Sequence, residues 1–155
     1  MNYITITHPD INNGLGCRVT LWIAGCSHHC KGCHNPETWE YNQGNPLEEA
    51  YTEISKALSK PYIKGLTLSG GDPLSQSDAS LKELYEFLLR IKHDFPGKDI
   101  WIYAGDYYEE AIQNEYKKKI LDLCDYMVEG PYVCQQRDLS LAFRGSRNQN
   151  IVKLK

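Results

Sequence analysis

Residues 18–33 read RVTLWIAGCSHHCKGC. The first seven of them are rich in Val, Thr, Leu, Trp and Ile, a composition typical of a buried β-strand. The strand pattern stops at Gly25, and cysteines follow at positions 26, 30 and 33. This stretch therefore predicts a strand that leads directly into a cysteine loop.

Strand and helix patterns alternate along the rest of the chain. Strands are predicted at 65–69, 99–104, 125–129 and 150–154. Helices are predicted from an Asn45 cap to Pro61, through 81–91 with an end near Pro96-Gly97, and from an Asp106 cap towards Cys124. Such alternation requires crossover connections, predicts a mostly parallel sheet, and puts functional residues on loops after the strands. These units are too few for a closed eight-stranded barrel. We therefore expect an α/β fold, an incomplete, laterally open parallel β/α barrel, in a single domain spanning residues 1–155.

Composition and charge exclude several classes of protein. The 155 residues are 41% hydrophobic and 24% charged, as in ordinary globular chains. A formal net charge of −3 provides no general positive field for nucleic acid. No basic segment followed by an apolar block begins the chain, and the longest apolar stretch, near residues 19–24, is too short to span a bilayer. We expect a cytoplasmic protein that binds neither nucleic acid nor membranes.

The cysteine loop carries the strongest chemical signal. Six cysteines in a reducing compartment favour metal or redox roles over disulfides. Cys26, Cys30 and Cys33 form the pattern C-x-x-x-C-x-x-C, and three thiolates this close can bind three irons of a four-iron cluster. The fourth iron then keeps an open position, which a metal centre needs when a substrate binds to it directly.

Three other interpretations of this loop remain open from the residues alone. A structural zinc site would take a fourth ligand from His28, His29 or His34. A thioredoxin-like motif would use only the last two cysteines and leave Cys26 without a role. A c-type haem attachment would use the same two cysteines with His34, although no export signal precedes them.

A second motif, Gly70-Gly71-Asp72-Pro73, follows the next predicted strand. Two glycines allow a ligand to approach the backbone, and an aspartate can accept hydrogen bonds from an ammonium group. An ordinary turn would have the same sequence. The spacing favours a ligand site, because both motifs then lie at the same edge of one sheet.

Together these residues resemble the radical S-adenosylmethionine superfamily and, within it, the activating proteins of anaerobic ribonucleoside-triphosphate reductase. The likeness covers nearly the whole chain and includes segments 13–18, 25–35, 38–39, 68–74, 97–101, 129–131 and 144–149. The cysteine motif identifies the superfamily, and the short length with the flanking motifs indicates this branch.

The resemblance implies a [4Fe-4S] cluster on Cys26, Cys30 and Cys33, with S-adenosylmethionine on the fourth iron. An electron passed through the cluster would cleave the sulfonium to methionine and a 5′-deoxyadenosyl radical, which would take a hydrogen from a glycine of the reductase. The implied partners are that glycyl-radical protein and an electron donor. No catalytic acid or base is required, because the cofactor carries the difficult chemistry. Contacts to S-adenosylmethionine are expected from Gly32, Cys33, His34, Gly70, Gly71, Asp72, Tyr103 and Glu129.

Two alternative functions remain consistent with the sequence. The first is another radical enzyme, either an activase of a different glycyl-radical protein or an enzyme acting on a small molecule. The second is a non-catalytic zinc-binding module. Metal analysis distinguishes the second, since a cubane contains about four irons and four sulfides whereas a structural site holds one zinc.

Overall fold

The computed structural model describes all residues 1–155 as a seven-stranded mixed sheet with helices packed on one face. The strands are β1 (Asn2–Asp10), β2 (Cys17–Ile23), β3 (Asn45–Pro46), β4 (Ile63–Gly70), β5 (Asp99–Tyr103), β6 (Tyr126–Glu129) and β7 (Asn150–Lys153). The α-helices are α1 (Tyr51–Leu58), α2 (Asp78–Asp94), α3 (Tyr108–Ala111) and α4 (Glu115–Leu123). Short 3₁₀ helices occupy Pro36–Thr38, Leu47–Ala50 and Cys134–Gln136.

The strand order is β3-β1-β2-β4-β5-β6-β7, and the sheet is open. The four central strands β2, β4, β5 and β6 are parallel neighbours, whereas β1, β3 and β7 join antiparallel. The expected α/β class and open sheet are confirmed, but the sheet is only partly parallel. The difference arises largely from β1, which was not predicted although its alternate residues Thr5, Thr7 and Pro9 are exposed, as in a half-buried strand.

Two predicted helix starts are wrong. Asn45 does not cap a helix, because Asn45 and Pro46 pair with β1 and α1 begins only at Tyr51. Asp106 does not cap one either. Its carboxylate binds Lys117 Nζ at 2.5 Å, and the predicted single helix is divided into α3 and α4, with Asn114 capping α4.

The two faces of the sheet differ in their covering. Alternate residues of the central strands, such as Val19, Leu66 and Ile100, join the helices in one apolar core. The opposite face carries Arg18, Thr67 and Trp101 and is covered by loops, since Thr67 Oγ1 donates to the Asn13 carbonyl at 2.7 Å and Trp101 packs edge-on against Phe143. The carboxyl ends of the parallel strands therefore open onto a loop-lined space.

None of the four α-helices combines the length and the hydropathy that crossing a bilayer requires.

Candidate metal centre

The loops after β2 and β4 are joined by backbone hydrogen bonds. Gly71 N donates to Ile23 O at 2.9 Å, and Asp72 N donates to Gly25 O at 2.8 Å. A Cβ on Gly70 would lie 2.5 Å from the Ile23 nitrogen, and one on Gly71 would collide with the Gly25 carbonyl. The close packing of these two backbone segments therefore requires glycine at both positions, whether or not a ligand binds.

A cavity of about 410 Å³ lies at this end of the sheet. It brings together most of the predicted site residues, namely Cys26, Cys30, Cys33, His34, Gly70, Gly71, Asp72 and Tyr103. Its wall also includes aromatic and amide side chains from other loops, among them Trp22, Trp39, Phe143 and Gln149. The cavity therefore extends well beyond the three thiols.

The three cysteines of the loop are free thiols that line the cavity. Cys26 is buried, and burial is the main cause that raises the pKa of its thiol, with the Asp72 carboxylate adding to the effect. Cys30 and Cys33 are partly exposed, and Asn35 N lies 3.4 Å from Cys33 Sγ as a donor. Soft thiolate donors of this kind suit iron, so the residues fit an iron–sulfur cluster.

In this structure the cysteines and histidines of the loop are not arranged around a single metal ion. No group of three or more His, Cys, Asp or Glu side chains is gathered closely enough to hold a single metal ion. His29 instead stacks on Trp39 with ring centroids 4.3 Å apart, and His34 packs against Tyr132 at 4.9 Å. Two of the three histidines considered as zinc ligands therefore have aromatic partners.

Asp72 is almost completely buried, at 2% exposure, and both of its carboxylate oxygens are engaged within the protein. Oδ1 accepts hydrogen bonds from Leu74 N at 2.8 Å and Ser75 N at 3.3 Å. Oδ2 accepts from Gly105 N at 2.8 Å and lies 2.9 Å from His28 Nε2. This carboxylate consequently connects the cysteine loop to the ends of β4 and β5.

Two predicted cofactor contacts lie outside the cavity wall. Gly32 is exposed, with a φ of 75°, and faces Tyr132 and Cys134. The Glu129 carboxylate accepts from Tyr108 N at 2.7 Å and from Asn150 Nδ2 at 3.0 Å. It therefore holds α3 and β7 and does not line the cavity.

Tyr103 lines the cavity, but its hydroxyl is already used. It donates to the Phe143 carbonyl at 2.8 Å, and burial raises the pKa of the phenol above its usual value. Tyr103 thereby fastens the C-terminal loop across the loop-covered face of the sheet.

Sequence reasoning did not foresee the hydrogen-bonded cluster formed by the motif at residues 144–149. Gln149 Oε1 accepts from Gly145 N at 2.9 Å and Ser146 N at 3.2 Å, while its Nε2 donates to Gly130 O at 3.0 Å. Asn148 Nδ2 donates to Pro131 O at 2.7 Å. The motif could be recognised in the sequence. Only the structure shows that its side chains hold the cavity wall that follows β6.

A family model described as a 4Fe-4S single cluster domain matches residues 12–152. The fold and the three-thiol cavity thus belong to an iron–sulfur cluster protein. Relatives named anaerobic ribonucleoside-triphosphate reductase-activating protein are 39% identical in Escherichia coli K12, over 100% of both chains, and 38% identical in Pasteurella multocida, over 99% of this chain and 98% of the relative. One from enterobacteria phage T4 is 39% identical over 97% of this chain and 93% of its own. This chain belongs to the family of anaerobic ribonucleoside-triphosphate reductase-activating proteins.

Proposed function

We propose that this protein uses a [4Fe-4S] cluster and S-adenosylmethionine to generate a glycyl radical on anaerobic ribonucleoside-triphosphate reductase. The observation that carries the proposal is the placement of three free thiols in the wall of one cavity that extends beyond them. The names of the full-length relatives support the same activity and the same partner. An electron donor of this enzyme is part of the proposal.

Cys26, Cys30 and Cys33 are the proposed cluster ligands. When bound, the cluster and S-adenosylmethionine supply the one-electron chemistry that removes a hydrogen atom from a glycine of the reductase. The protein holds the loop in place by backbone hydrogen bonds, including Cys26 N to Trp39 O at 3.1 Å and Cys33 N to Cys30 O at 3.0 Å. The ring of His29, within the loop, stacks on Trp39, whose carbonyl accepts the Cys26 hydrogen bond.

For the methionine amino group, the proposed site is Gly70, Gly71 and Asp72. An ammonium group needs a hydrogen-bond acceptor, and Asp72 supplies the only carboxylate in the wall of the cavity that the three thiols line. Because its Oδ2 already contacts Gly105 N and His28, the ammonium group would replace His28 at that oxygen. His34 and Tyr103 are proposed to line the remainder of the cofactor site, from their positions in the cavity wall.

The finer architecture also belongs to the proposal. The open edges of the sheet and the parallel order of β2, β4, β5 and β6 support an incomplete barrel formed by residues 1–155 as one domain. An incomplete barrel leaves a lateral entrance, through which a backbone segment of the reductase would reach the cavity.

The decisive experiment is anaerobic incubation of the protein with reductant, S-adenosylmethionine and the reductase. Electron paramagnetic resonance should detect a glycine-centred radical, and about four irons and four sulfides per chain should be present. Cys30→Ser should abolish cluster assembly and the radical, whereas Cys124→Ser, a buried thiol outside the cavity, should retain both. One zinc per chain, or cofactor cleavage retained in Cys30→Ser, would refute the proposal.

The role of Asp72 requires a separate comparison. Asp72→Ala should weaken S-adenosylmethionine binding more than it lowers iron content, because the amino group loses its acceptor. Equal losses of iron and of cofactor affinity would instead assign Asp72 to the loop contacts alone.

A further inference from the structure

Arg144 is a cation in the cavity wall with unused hydrogen-bond donors. Its Nε donates to Ala142 O at 3.2 Å and its Nη1 to Gln149 O at 3.4 Å, while Nη2 has no acceptor in the protein. The arginine ion pairs of the chain join Arg18 to Asp99 and Arg90 to Glu48, and Arg144 takes part in none. A guanidinium with a free edge is suited to bind a carboxylate through two parallel hydrogen bonds.

The position of Arg144 is fixed by its neighbours in the chain. Gly145 and Ser146 donate their backbone N–H groups to Gln149, and Ser146 is completely buried. A Cβ on Gly145 would lie 3.0 Å from Tyr132 and 3.6 Å from the ring of His34, the residue after the third cysteine. The segment that carries Arg144 is thus held against the cluster side of the cavity. Pre-organisation of this kind reduces the cost of ordering a side chain on binding.

Charge inside the cavity indicates what Arg144 can bind. Among the residues of the wall, Arg144 is the only lysine or arginine, and Asp72 is the only carboxylate. The Asp72 oxygens are occupied by internal donors, whereas the Arg144 donors are in part free. Arg144 is therefore the one charged side chain of the wall without an ion-pair partner, and its free donors suit an anion.

We propose that Arg144 binds the carboxylate of the methionine moiety of S-adenosylmethionine. The proposal rests on the function proposed above. It assigns a second residue to the binding of the same cofactor, in the segment between β6 and β7, whereas Asp72 follows β4. Arg144 positions the cofactor through this contact and takes no part in proton transfer. A carboxylate of the reductase could bind Arg144 through the same hydrogen bonds, and the test distinguishes it from the carboxylate of the cofactor.

The test measures equilibrium binding of S-adenosylmethionine and of its decarboxylated analogue to cluster-loaded protein without reductase. Arg144→Met should weaken binding of S-adenosylmethionine by about 10- to 100-fold, the range for a lost hydrogen bond to a charged group. The same substitution should change binding of the decarboxylated analogue little. The ratio of the two affinities, S-adenosylmethionine over the analogue, should therefore fall by about 10- to 100-fold. The affinity of Arg144→Lys for S-adenosylmethionine should be intermediate, because lysine keeps the positive charge but cannot donate two parallel hydrogen bonds to a carboxylate.

Arg147→Met is the matched control, since Arg147 lies on the same segment, is exposed and is absent from the cavity wall. It should bind both ligands as the wild type does. An unchanged preference in Arg144→Met overturns the proposal, as does a loss confined to reductase binding or a parallel loss of iron. Wild-type protein that binds no S-adenosylmethionine would instead refute the proposed function itself.

Discussion

Nε2 of His28 lies 2.9 Å from Oδ2 of Asp72, and this contact joins the cysteine loop to the loop after β4. The hydrogen bond to Asp72 is the main cause that raises the pKa of His28 above its usual value. Gly105 N donates to the same carboxylate oxygen from the end of β5. Asp106 Oδ1 lies 3.7 Å from the ring nitrogen and adds a second, weaker contact. The position of the cysteine loop, which follows β2, therefore depends on residues that follow two other strands, β4 and β5.

Gly105→Ala should displace His28 and loosen the cysteine loop. A Cβ at this position would lie 2.6 Å from the His28 ring atoms Cδ2 and Nε2, so the ring must move away from Asp72. Loss of the His28 contact to the buried Asp72 carboxylate should lower the free energy of unfolding by about 1–3 kcal/mol. Iron and sulfide content after anaerobic reconstitution should fall as well, and urea denaturation with metal analysis measures the two effects.

Gly97→Ala is the control for this substitution. A Cβ on Gly97 meets no atom within 4 Å, so stability should change by less than about 0.5 kcal/mol and cluster content should not change. If Gly105→Ala matched this control in both measurements, the His28 contact would have no part in holding the loop.

Cys124 should be inert towards alkylating reagents in the folded protein. The thiol is fully buried, donates to Ile120 O at 3.3 Å, and burial raises its pKa to about 12. Because only the thiolate reacts, about one molecule in 10⁴ would be reactive at pH 8, even before access is considered. Iodoacetamide followed by peptide mass spectrometry should label the partly exposed Cys30 and Cys33 of metal-free protein first. Labelling of Cys124 at a similar rate without urea would show that this part of the core opens readily.

Much of the central sheet could be predicted because its strands carry short, dense runs of apolar residues. The run at 18–24 and the run at 65–69 became β2 and β4, and the cysteine and glycine motifs at their ends meet as expected. β1 was missed because only two aliphatic residues, Ile4 and Ile6, mark the alternation in its sequence. The start of α1 was misplaced because Asn45-Pro46 has the sequence of a helix cap, whereas pairing with β1 decides its conformation.

The residues that line the cavity could be predicted only where they are close together in the sequence. The three cysteines share one loop, so their common position followed from the sequence. The partners of Asp72 come from other loops, and no local pattern reports that both of its oxygens are engaged. Arg18 is a similar case. It is completely buried and paired with Asp99 at 2.6 Å, and no local pattern reports this contact.

Gln149→Leu should expose the C-terminal loop to proteolysis. The wild-type amide makes three hydrogen bonds, to Gly145 N, Ser146 N and Gly130 O, and leucine of similar size makes none. Loss of these bonds should raise the rate of tryptic cleavage after Arg144 and Arg147 by about 10-fold or more, since each bond contributes roughly 1 kcal/mol to keeping the loop closed. Gln113→Leu is the control, because Gln113 is exposed and its side chain bonds only to Glu109 O. Equal cleavage rates in the two variants would mean that the loop is held by the Tyr103 contact to Phe143 rather than by Gln149.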